Sequence, residues 1–314
     1  MIDPRPHIPV MAREVIDQLQ VRCDQTYVDG TLGNGGYTAM MLDCGAGRVI
    51  AIDRDPNAIR DAKALADHYD GRLQLVHGTF GNLAAYVDGP GSVDGIAFDL
   101  GVSSMQLDQA ERGFSFQQDG PLDMRMSIDG PSAADLVNET DEQALADLLW
   151  KFGEERHSRR IARAIVTARA EQPITRTSEL AALVAKAVPR PDPHHHPATR
   201  AFQALRIVVN DELGELERGL AASEAALKPG GRCVVVSFHS LEDRIVKNFF
   251  RDRSTAQPKG SRHMPHQPEA NAPAWRLLTR RPMTPGADEI AANPRARSAR
   301  LRAAERLPAN GRTN

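Results

Sequence analysis

Residues 30–36 form a glycine-rich turn that restricts this chain to a small number of folds. Four glycines fall within the eight residues from Asp29 to Gly36, in the stretch TYVDGTLGNGGYTAMML. A segment of strand composition precedes the turn, and a segment of helical composition follows it. Strand, tight turn and helix in this order are typical of the nucleotide-binding corner of doubly wound folds, because glycine lets the backbone approach a ligand closely. The turn therefore predicts a nucleotide-like ligand at the end of the first strand.

Alternating strand and helix patterns extend this corner into a sheet. Helical patterns separate the first three of four apolar segments in the first hundred residues. Such alternation favours a mostly parallel, doubly wound sheet, and near-continuous apolar runs fit strands buried on both faces. We therefore predict an α/β, Rossmann-like fold. The predicted strands are 26–29, 48–53, 73–77 and 93–100, and the helices between them are 38–42 and 56–68.

The alternation stops near residue 109 and resumes near residue 211. Between these points apolar residues recur three and four positions apart, which is the spacing of helices packed on a core. The sequence therefore predicts a discontinuous sheet domain, residues 1–108 with 211–314. It also predicts an inserted helical domain, residues 109–210.

The sequence around and beyond the end of the insertion has the composition of further sheet elements. Apolar residues at helical spacing predict one helix across 202–220. The segment RCVVVSF predicts a fifth strand at 232–238, and an amphipathic pattern predicts a helix at 243–251. Proline, glutamine, histidine and arginine dominate from about 254 to 275, which predicts a loop or a disordered segment.

Composition excludes several classes of protein. The chain has 314 residues, of which 41% are hydrophobic, enough for a real core. No apolar run is long enough for a transmembrane helix, and the N-terminal segment does not resemble a signal peptide, so we predict a cytoplasmic protein without a membrane partner. The three cysteines are far apart, and adjacent histidines at 194–196 lack the spacing of metal ligands, so no metal site is predicted.

The charges are distributed unevenly along the chain. Residues 251–314 hold 13 lysines and arginines against 5 acidic residues, whereas the rest of the chain holds 26 against 36. A basic tail on an acidic body is a common layout in proteins that bind nucleic acid. A solvated arginine-rich terminus explains the same pattern without a partner, and charge alone does not choose between them.

The glycine turn departs from the dinucleotide fingerprint. Gly33 and Gly35 match the first two positions of G-x-G-x-x-G, but Thr38 occupies the third. The pattern D-G-T-x-G-x-G-G is more similar to the first motif of methyltransferases that bind S-adenosylmethionine. Asp53 ends the second predicted strand about 20 residues later, as an acid that accepts ribose hydroxyls does. Phe80 is placed to lie along an adenine, and Asp99 ends the fourth strand, facing the crevice where ligands bind.

Longer motifs carry a more specific resemblance. The stretch AFDLGVSSMQLDQAERGFSFQQDGPLDMRM closely resembles the signature of the ribosomal RNA small subunit methyltransferase H family, the bacterial 16S rRNA cytosine-N(4) methyltransferases. The likeness covers nearly the whole chain in order. The segments that carry it are 97–126, 151–165, 196–213, 236–249 and 293–306.

The resemblance implies a fold, a reaction and a set of binding residues. It implies a Rossmann-like methyltransferase domain with a helical insertion, use of S-adenosylmethionine, and methylation of a cytidine amine in the decoding centre of the small subunit, near the P site. The inserted domain is expected to recognise RNA, and the protein is expected to be a monomer or a homodimer. The family usually has histidine at the place of Tyr37 and proline at that of Met105. The cofactor residues implied by the match are Gly35, Gly36, Tyr37, Asp53, Phe80, Asp99 and Gln106.

The chemistry requires an acceptor near the amine, because the lone pair of cytosine's exocyclic nitrogen is delocalised into the ring. Many amino methyltransferases use a D/N/S-P-P-Y/F motif after the fourth strand, but this chain has DLGV there. Our hypothesis is that Asp99 contacts the amine, with Ser103–Ser104 and His239–Ser240 as alternatives. Two other functions stay open from the sequence: a nicotinamide-dependent dehydrogenase, and a non-catalytic RNA-binding or assembly factor.

Overall fold

The computed structural model describes residues 9–189, 196–255 and 272–308. His194, His195 and most of the loop predicted at 254–275 lie outside these residues. The chain folds into two compact units. One contains the residues up to Gly101 together with those from Gly214 onward, and the other is Val102–Leu213.

The first unit is built on a seven-stranded sheet, in the order β3-β2-β1-β4-β5-β7-β6. The first five strands are parallel, while β7 is antiparallel to β5 and β6 is antiparallel to β7. This arrangement confirms the predicted α/β class, and four of the five predicted strands begin and end within one residue of their predicted positions, whereas β5 begins five residues earlier than predicted. The strands are β1 Thr26–Asp29, β2 Arg48–Asp53, β3 Leu73–His77, β4 Val93–Asp99, β5 Leu227–Ser237, β6 Trp275–Leu277 and β7 Arg300–Arg306.

The apolar run in β2 shows why these residues form a central strand. Side chains alternate across a strand, so a run buried on both faces serves two cores. Val49 and Ala51 pack into the core on one face of the sheet, and Ile50 and Ile52 pack into the core on the other. All four are fully buried. Each large aliphatic side chain buried in this way contributes about 1.5–3 kcal/mol.

Helices of the first unit flank the sheet. The predicted helix at 56–68 is two short helices, because Ala62, at ψ −1°, interrupts the α-helical ladder between them. The predicted helix at 243–251 is longer and begins at Ser240. The helices are α1 Ala12–Leu19, α2 Gly36–Asp43, α3 Pro56–Asp61, α4 Lys63–His68, α12 Ser240–Ser254 and α13 Ala287–Ala292, with 3-10 turns at Phe80–Ala85 and Pro294–Ser298.

The second unit is helical. Its core consists of aliphatic residues that recur at helical spacing, such as Leu145, Leu149, Ile161 and Ile165. Its helices are α5 Ser104–Asp108, α6 Ala133–Glu139, α7 Glu142–Gly153, α8 Ser158–Arg169, α9 Thr177–Ala187 and α10 Thr199–Val209, and α11 Glu212–Ala226 begins in it.

The single helix predicted across 202–220 is wrong, because the chain breaks between α10 and α11. Asp211 has a φ of 47°, outside the helical region. The amide of Asn210 is used elsewhere: it donates to the carbonyl of Met124 and accepts from the N–H of Met126, both at 2.8 Å. Among the described residues, none of the helices is both long and apolar enough to cross a membrane.

Candidate functional site

The strand order creates a crevice at the carboxyl edge of the sheet. β2 and β3 lie on one side of β1, whereas β4 and β5 lie on the other. The connections after β1 and β4 therefore leave in opposite directions, and ligands of open parallel sheets bind at such a switch point. Asp29, Asp53 and Asp99 are the last residues of β1, β2 and β4, so the sheet brings three carboxyl groups to this edge.

The glycine turn after β1 is fixed by its own backbone and by close packing. The N–H of Gly35 donates to the carbonyl of Leu32 at 2.7 Å. Gly35 has a φ of +77°, and a Cβ there would lie 2.7 Å from the side chain of Leu65. A Cβ on Gly36, the first residue of α2, would lie 2.8 Å from Pro9. Both positions therefore require glycine, and the turn presents backbone rather than side chains to the crevice.

Asp53 is held in place by the turn. Its Oδ2 accepts from the N–H of Gly33 and its Oδ1 from the N–H of Asp55, both at 2.8 Å. Burial raises the pKa of Asp53, although these two donors act in the opposite direction. Each carboxylate oxygen has two lone pairs, so one remains on each for the hydroxyls of a ligand.

A hydrogen-bond chain links Asp29 to Asp99, and sequence reasoning missed it. Asp29 is buried and accepts from the hydroxyl of Thr38 at 2.7 Å and from the N–H of Thr31 at 3.2 Å. The Thr31 hydroxyl oxygen in turn accepts from the N–H of Asp99 at 2.7 Å. Asp29 therefore fixes Thr31, and Thr31 fixes the backbone of Asp99. The Asp-x-Thr spacing is a signal for the first of these bonds, since short polar side chains commonly cap a backbone N–H two residues on.

Asp99 carries an acceptor without a partner. Its Oδ1 is fully buried and has no hydrogen-bond partner among the described residues. Burial raises the pKa of Asp99 well above its ordinary value, and the charges of Asp29 and Glu242 raise it further. A buried acceptor left unsatisfied costs free energy, and such groups concentrate at functional sites.

Glu242 is a fourth carboxyl group near this edge, and it was also missed. It lies in the first turn of α12, and its Oε2 accepts from the N–H groups of Phe238 and His239 at 2.8 and 3.2 Å. Its Oε1 lies 3.1 Å from Nε2 of His239. The second ring nitrogen of His239 accepts from the N–H of Glu242 at 3.4 Å. His239 therefore caps α12 through this ring nitrogen, and its backbone N–H holds the Glu242 carboxylate in place.

The two aromatic residues of the predicted site have mainly packing contacts. Tyr37 is buried, and its hydroxyl donates to the carbonyl of Val10, so only its backbone N–H is left for a ligand. The ring of Phe80 is partly exposed and lies 5.0 Å from the ring of Phe98. A Cβ on Gly219 would lie 2.5 Å from the Phe80 ring, which shows how closely that side of the ring is covered.

Gln106 belongs to the second unit. It is buried, and its Oε1 accepts from the N–H of Ser103 at 3.1 Å while the Ser103 hydroxyl accepts from the N–H of Gln106 at 3.3 Å. This reciprocal capping box starts α5. The hydroxyl of Ser103 is therefore used in the cap, and the side chain of Ser104 lies outside the described part of the chain.

The charges at the crevice favour one class of ligand. Asp29, Asp53, Asp99 and Glu242 place four acceptors near the carboxyl edge of the sheet. A ligand with cationic centres and hydroxyl groups satisfies such acceptors, whereas a pyrophosphate would meet repulsion from them. The geometry therefore fits a sulfonium cofactor better than a nicotinamide dinucleotide.

Comparison with known proteins decides the family. The model of the MraW methylase family matches residues 4–307. The chain belongs to the MraW methylase family. It is 59% identical over 308 residues to the ribosomal RNA small subunit methyltransferase H of Azorhizobium caulinodans, covering 98% of this chain and 88% of the relative. It is 58% identical over 311 residues to the enzyme of the same name from Rhodospirillum centenum, and this match covers 98% of this chain and 94% of the relative. The predicted resemblance is thereby confirmed, and the chain is a methyltransferase.

The buried Asp29 gives the methylase a measurable pH dependence of stability. Burial raises the pKa of Asp29 from 3.8 to about 6. Between these values the folded state binds more protons than the unfolded state, so the free energy of unfolding falls as pH rises from about 4 to about 6. This contribution amounts to about 3 kcal/mol. We expect Asp29→Asn, which keeps the shape of the side chain, to lose it.

Urea unfolding at a series of pH values measures this effect. The difference between wild type and Asp29→Asn isolates the one carboxyl group, because the other buried acids are common to both. We expect the free energy of unfolding of the variant to rise relative to that of the wild type from about pH 4 to about pH 6, and the difference to stay constant above pH 6. If the free energy of unfolding changes with pH in the same way for both proteins, Asp29 titrates as an ordinary carboxyl group.

Proposed function

We propose that the methylase transfers a methyl group from S-adenosylmethionine to the exocyclic N(4) amine of a cytidine in the decoding centre of 16S rRNA, in the P-site region. The observation that carries this proposal is the buried, unpartnered Oδ1 of Asp99 beside the glycine turn. In this proposal it is the acceptor that receives the amine hydrogen. The names of the relatives, rRNA small subunit methyltransferases, support an RNA substrate.

The residues at the crevice fit the cofactor. S-adenosylmethionine, when bound, supplies a methyl group that is activated by its attachment to a positively charged sulfur. The turn at Gly35 and Gly36 offers backbone to its amino-acid portion, and Asp53 keeps a lone pair on each oxygen for the ribose hydroxyls. The ring of Phe80 lies along the adenine in this proposal. Residues assigned to the cofactor are Gly35, Gly36, Tyr37, Asp53, Phe80, Asp99 and Gln106. For Tyr37 the assignment concerns its backbone N–H, and for Gln106 it depends on the family resemblance.

Asp99 is proposed to receive the proton. A neutral amine that gains a methyl group must lose one N–H proton, because the product amine is again neutral. An ionised Asp99 accepts a hydrogen bond from the amine N–H group, which draws the nitrogen lone pair out of the ring. As the methyl group is transferred, Asp99 takes the proton. The raised pKa of Asp99 increases its affinity for that proton. Thr31 keeps the carboxyl group at one position by binding the Asp99 backbone, and correct positioning contributes a large share of such rate enhancements.

The rival functions receive less support. A nicotinamide-dependent dehydrogenase has to place a pyrophosphate at this corner, where four carboxyl groups disfavour it. A non-catalytic RNA-binding factor has no use for an unpartnered buried acceptor, which costs stability. Titration with S-adenosylhomocysteine and with NAD separates the first rival from the methylase, because we expect only the former to bind.

Other assignments remain predictions. They are RNA recognition by the helical insertion at 109–210, a cytoplasmic location, and a state of monomer or homodimer. A target base also has to leave its stack to reach a buried acceptor, which is easiest in single-stranded or loop RNA.

The test is methyl transfer itself. We expect incubation with a labelled methyl donor and small subunits that lack the modification to label 16S rRNA, and nuclease digestion with mass spectrometry to find N(4)-methylcytidine. Naked 16S rRNA in a parallel reaction shows which form of the substrate is used. Labelling at another position or on another atom would contradict the assignment of the amine, and absence of label from both substrates would contradict the proposed function.

A further inference from the structure

Trp150 is the larger of two exposed hydrophobic side chains in the described part of the chain. It lies near the end of α7 with 60% of its surface exposed, whereas the second tryptophan, Trp275, is 1% exposed. α7 buries Leu145, Leu149 and Gly153 in the core of its unit, so the helix is anchored without Trp150. Packing therefore does not account for an indole at this position, and an exposed tryptophan of this kind is typical of recognition surfaces.

Three arginines on the neighbouring segment also lack a structural role. Arg156, Arg159 and Arg160 are exposed, and within residues 9–189, 196–255 and 272–308 none of their side chains makes a hydrogen bond or ion pair. Arg163, one turn further along α8, differs because it pairs with Glu142 at 3.3 Å. The first turn of α8 contains no acidic residue. Positive side chains there oppose the helix dipole, so helix stability does not explain Arg159 and Arg160.

The two helices bring these residues to one surface. A four-residue connection joins α7 to α8, and the contact between Glu142 and Arg163 shows that the helices run antiparallel. Trp150 lies one turn before the end of α7, whereas Arg159 and Arg160 lie in the first turn of α8. The connection between the helices contains Arg156. Because the helices are antiparallel, these four exposed side chains lie at the same end of the helix pair.

We propose that Trp150, Arg156, Arg159 and Arg160 form a docking surface for single-stranded RNA, in which the arginines contact successive phosphates and one base stacks on the indole. This inference rests on the proposed function, since it identifies which part of the methylase grips the substrate strand. Arginine for the backbone and an aromatic face for a base is the combination that single-stranded nucleic acids require. An acidic protein segment also offers negative charges to the arginines, but it does not present a planar ring next to each charge, as every nucleotide does.

The surrounding charges define the path of the strand. Asp147 and Glu154, three residues before and four after Trp150, are both exposed. They repel phosphates on the α7 side of the indole, so the backbone is directed along the arginines of α8. The base that stacks on Trp150 is then the one attached next to the phosphate on Arg156.

Tryptophan fluorescence tests this surface directly. Because Trp275 is buried, a ligand at the surface changes only the emission of Trp150. We expect titration of the full chain with a short oligouridylate to quench the emission at low salt. Trp150→Phe keeps a ring for stacking but loses the reporter, so it should bind the same oligonucleotide, measured by anisotropy of a labelled strand, without a fluorescence change.

Affinity measurements assign the contacts. Trp150→Ala is expected to bind the oligouridylate about 5- to 150-fold more weakly, the range given by loss of one stacked base. The triple variant Arg156→Gln, Arg159→Gln and Arg160→Gln is expected to lower the slope of log K against log salt by about 2, since each phosphate contact on a single strand contributes about 0.7. Lys186→Gln is the matched control: Lys186 is an exposed residue on α9 of the same unit, and its removal should leave both quantities unchanged.

The outcomes separate this inference from the proposed function. Unchanged affinity and an unchanged salt slope in these variants would overturn the docking surface, even if the wild type methylates rRNA normally. Quenching by polyglutamate but not by oligouridylate would overturn it in favour of an acidic protein partner. If the wild type methylates no RNA, the proposed function fails, but the fluorescence titration still decides whether this surface binds RNA.

Discussion

Asp99→Asn is expected to lower kcat for methyl transfer by about a hundredfold to ten-thousandfold, the usual contribution of a positioned general base. Asparagine has nearly the same shape, and its backbone N–H still donates to Thr31, so the fold and the position of the side chain are preserved. The asparagine side chain cannot take the proton of the amine. Its amide can also present an N–H group to the amine instead of an acceptor. The loss therefore reports the chemistry of the carboxylate.

Three measurements identify the cause of this loss. Single-turnover rates on small subunits give the chemical step, and the Kd for S-adenosylhomocysteine gives cofactor binding. We expect the rate to fall with a much smaller change in this Kd, whereas an equal change in both would make Asp99 a cofactor ligand only. Thr31→Val retains the carboxylate but removes the acceptor for its backbone N–H, and a loss of about two- to tenfold is expected.

The pH profile provides an independent check on Asp99. The ionised form is the acceptor, and burial holds the pKa of Asp99 well above that of an ordinary aspartate. The wild-type rate should therefore rise with pH through this elevated pKa. The residual rate of Asp99→Asn should lack this rise. A full rate in the variant would transfer the acceptor role to another group, for which Glu242 is a candidate because its charge acts on Asp99.

The strands that were predicted correctly are those with one dominant signal. β2, β4 and β5 contain apolar runs that are buried on both faces, a pattern typical of central parallel strands. β7 was not predicted because Arg300–Arg306 contains three arginines, which suggested a solvated tail. It is nevertheless a buried strand, since Leu301, Ala303 and Ala304 are fully covered. The arginines interrupt the apolar pattern of a buried strand, so this pattern is recognised only when the neighbouring strands are known.

The site residues also divide into those that a sequence pattern predicts and those whose position depends on the fold. Asp53 and Asp99 were predicted because they end strands, and the ends of parallel strands meet at one edge. Thr31 was not predicted, because its role depends on a hydrogen bond to a residue 68 positions away, which follows from the fold. The bonds that Glu242 accepts are those of a local capping box, but its proximity to Asp99 also follows from the fold. The hydroxyl of Tyr37 is likewise bonded to Val10, a contact that no local pattern indicates.

A buried ion pair joins strand β7 to helix α12. Arg302 of β7 donates to both oxygens of Asp243 on α12, from Nε at 2.6 Å and from Nη2 at 3.1 Å. Both side chains are 9% exposed. Burial pushes the pKa of Asp243 upward, but the bonds and the charge of Arg302 outweigh it and hold the pKa below its ordinary value. The pair therefore stabilises the fold above the ordinary pKa of aspartate, and this contribution is lost as pH falls through the depressed pKa.

Arg302→Met is expected to lower the free energy of unfolding by about 3–5 kcal/mol, because it leaves the buried charge of Asp243 with only the longer contact to the exposed Arg300. Arg300→Met is the matched control on the same strand: Arg300 also contacts Asp243, at 3.5 Å, but is 53% exposed, so its loss should cost less than about 1 kcal/mol. The double variant Asp243→Asn, Arg302→Met removes both charges and should recover most of the stability. Urea unfolding of the four proteins at neutral pH measures these differences. Equal losses for Arg300→Met and Arg302→Met, or no recovery in the double variant, would mean that packing of the Arg302 side chain rather than its charge holds β7 in place.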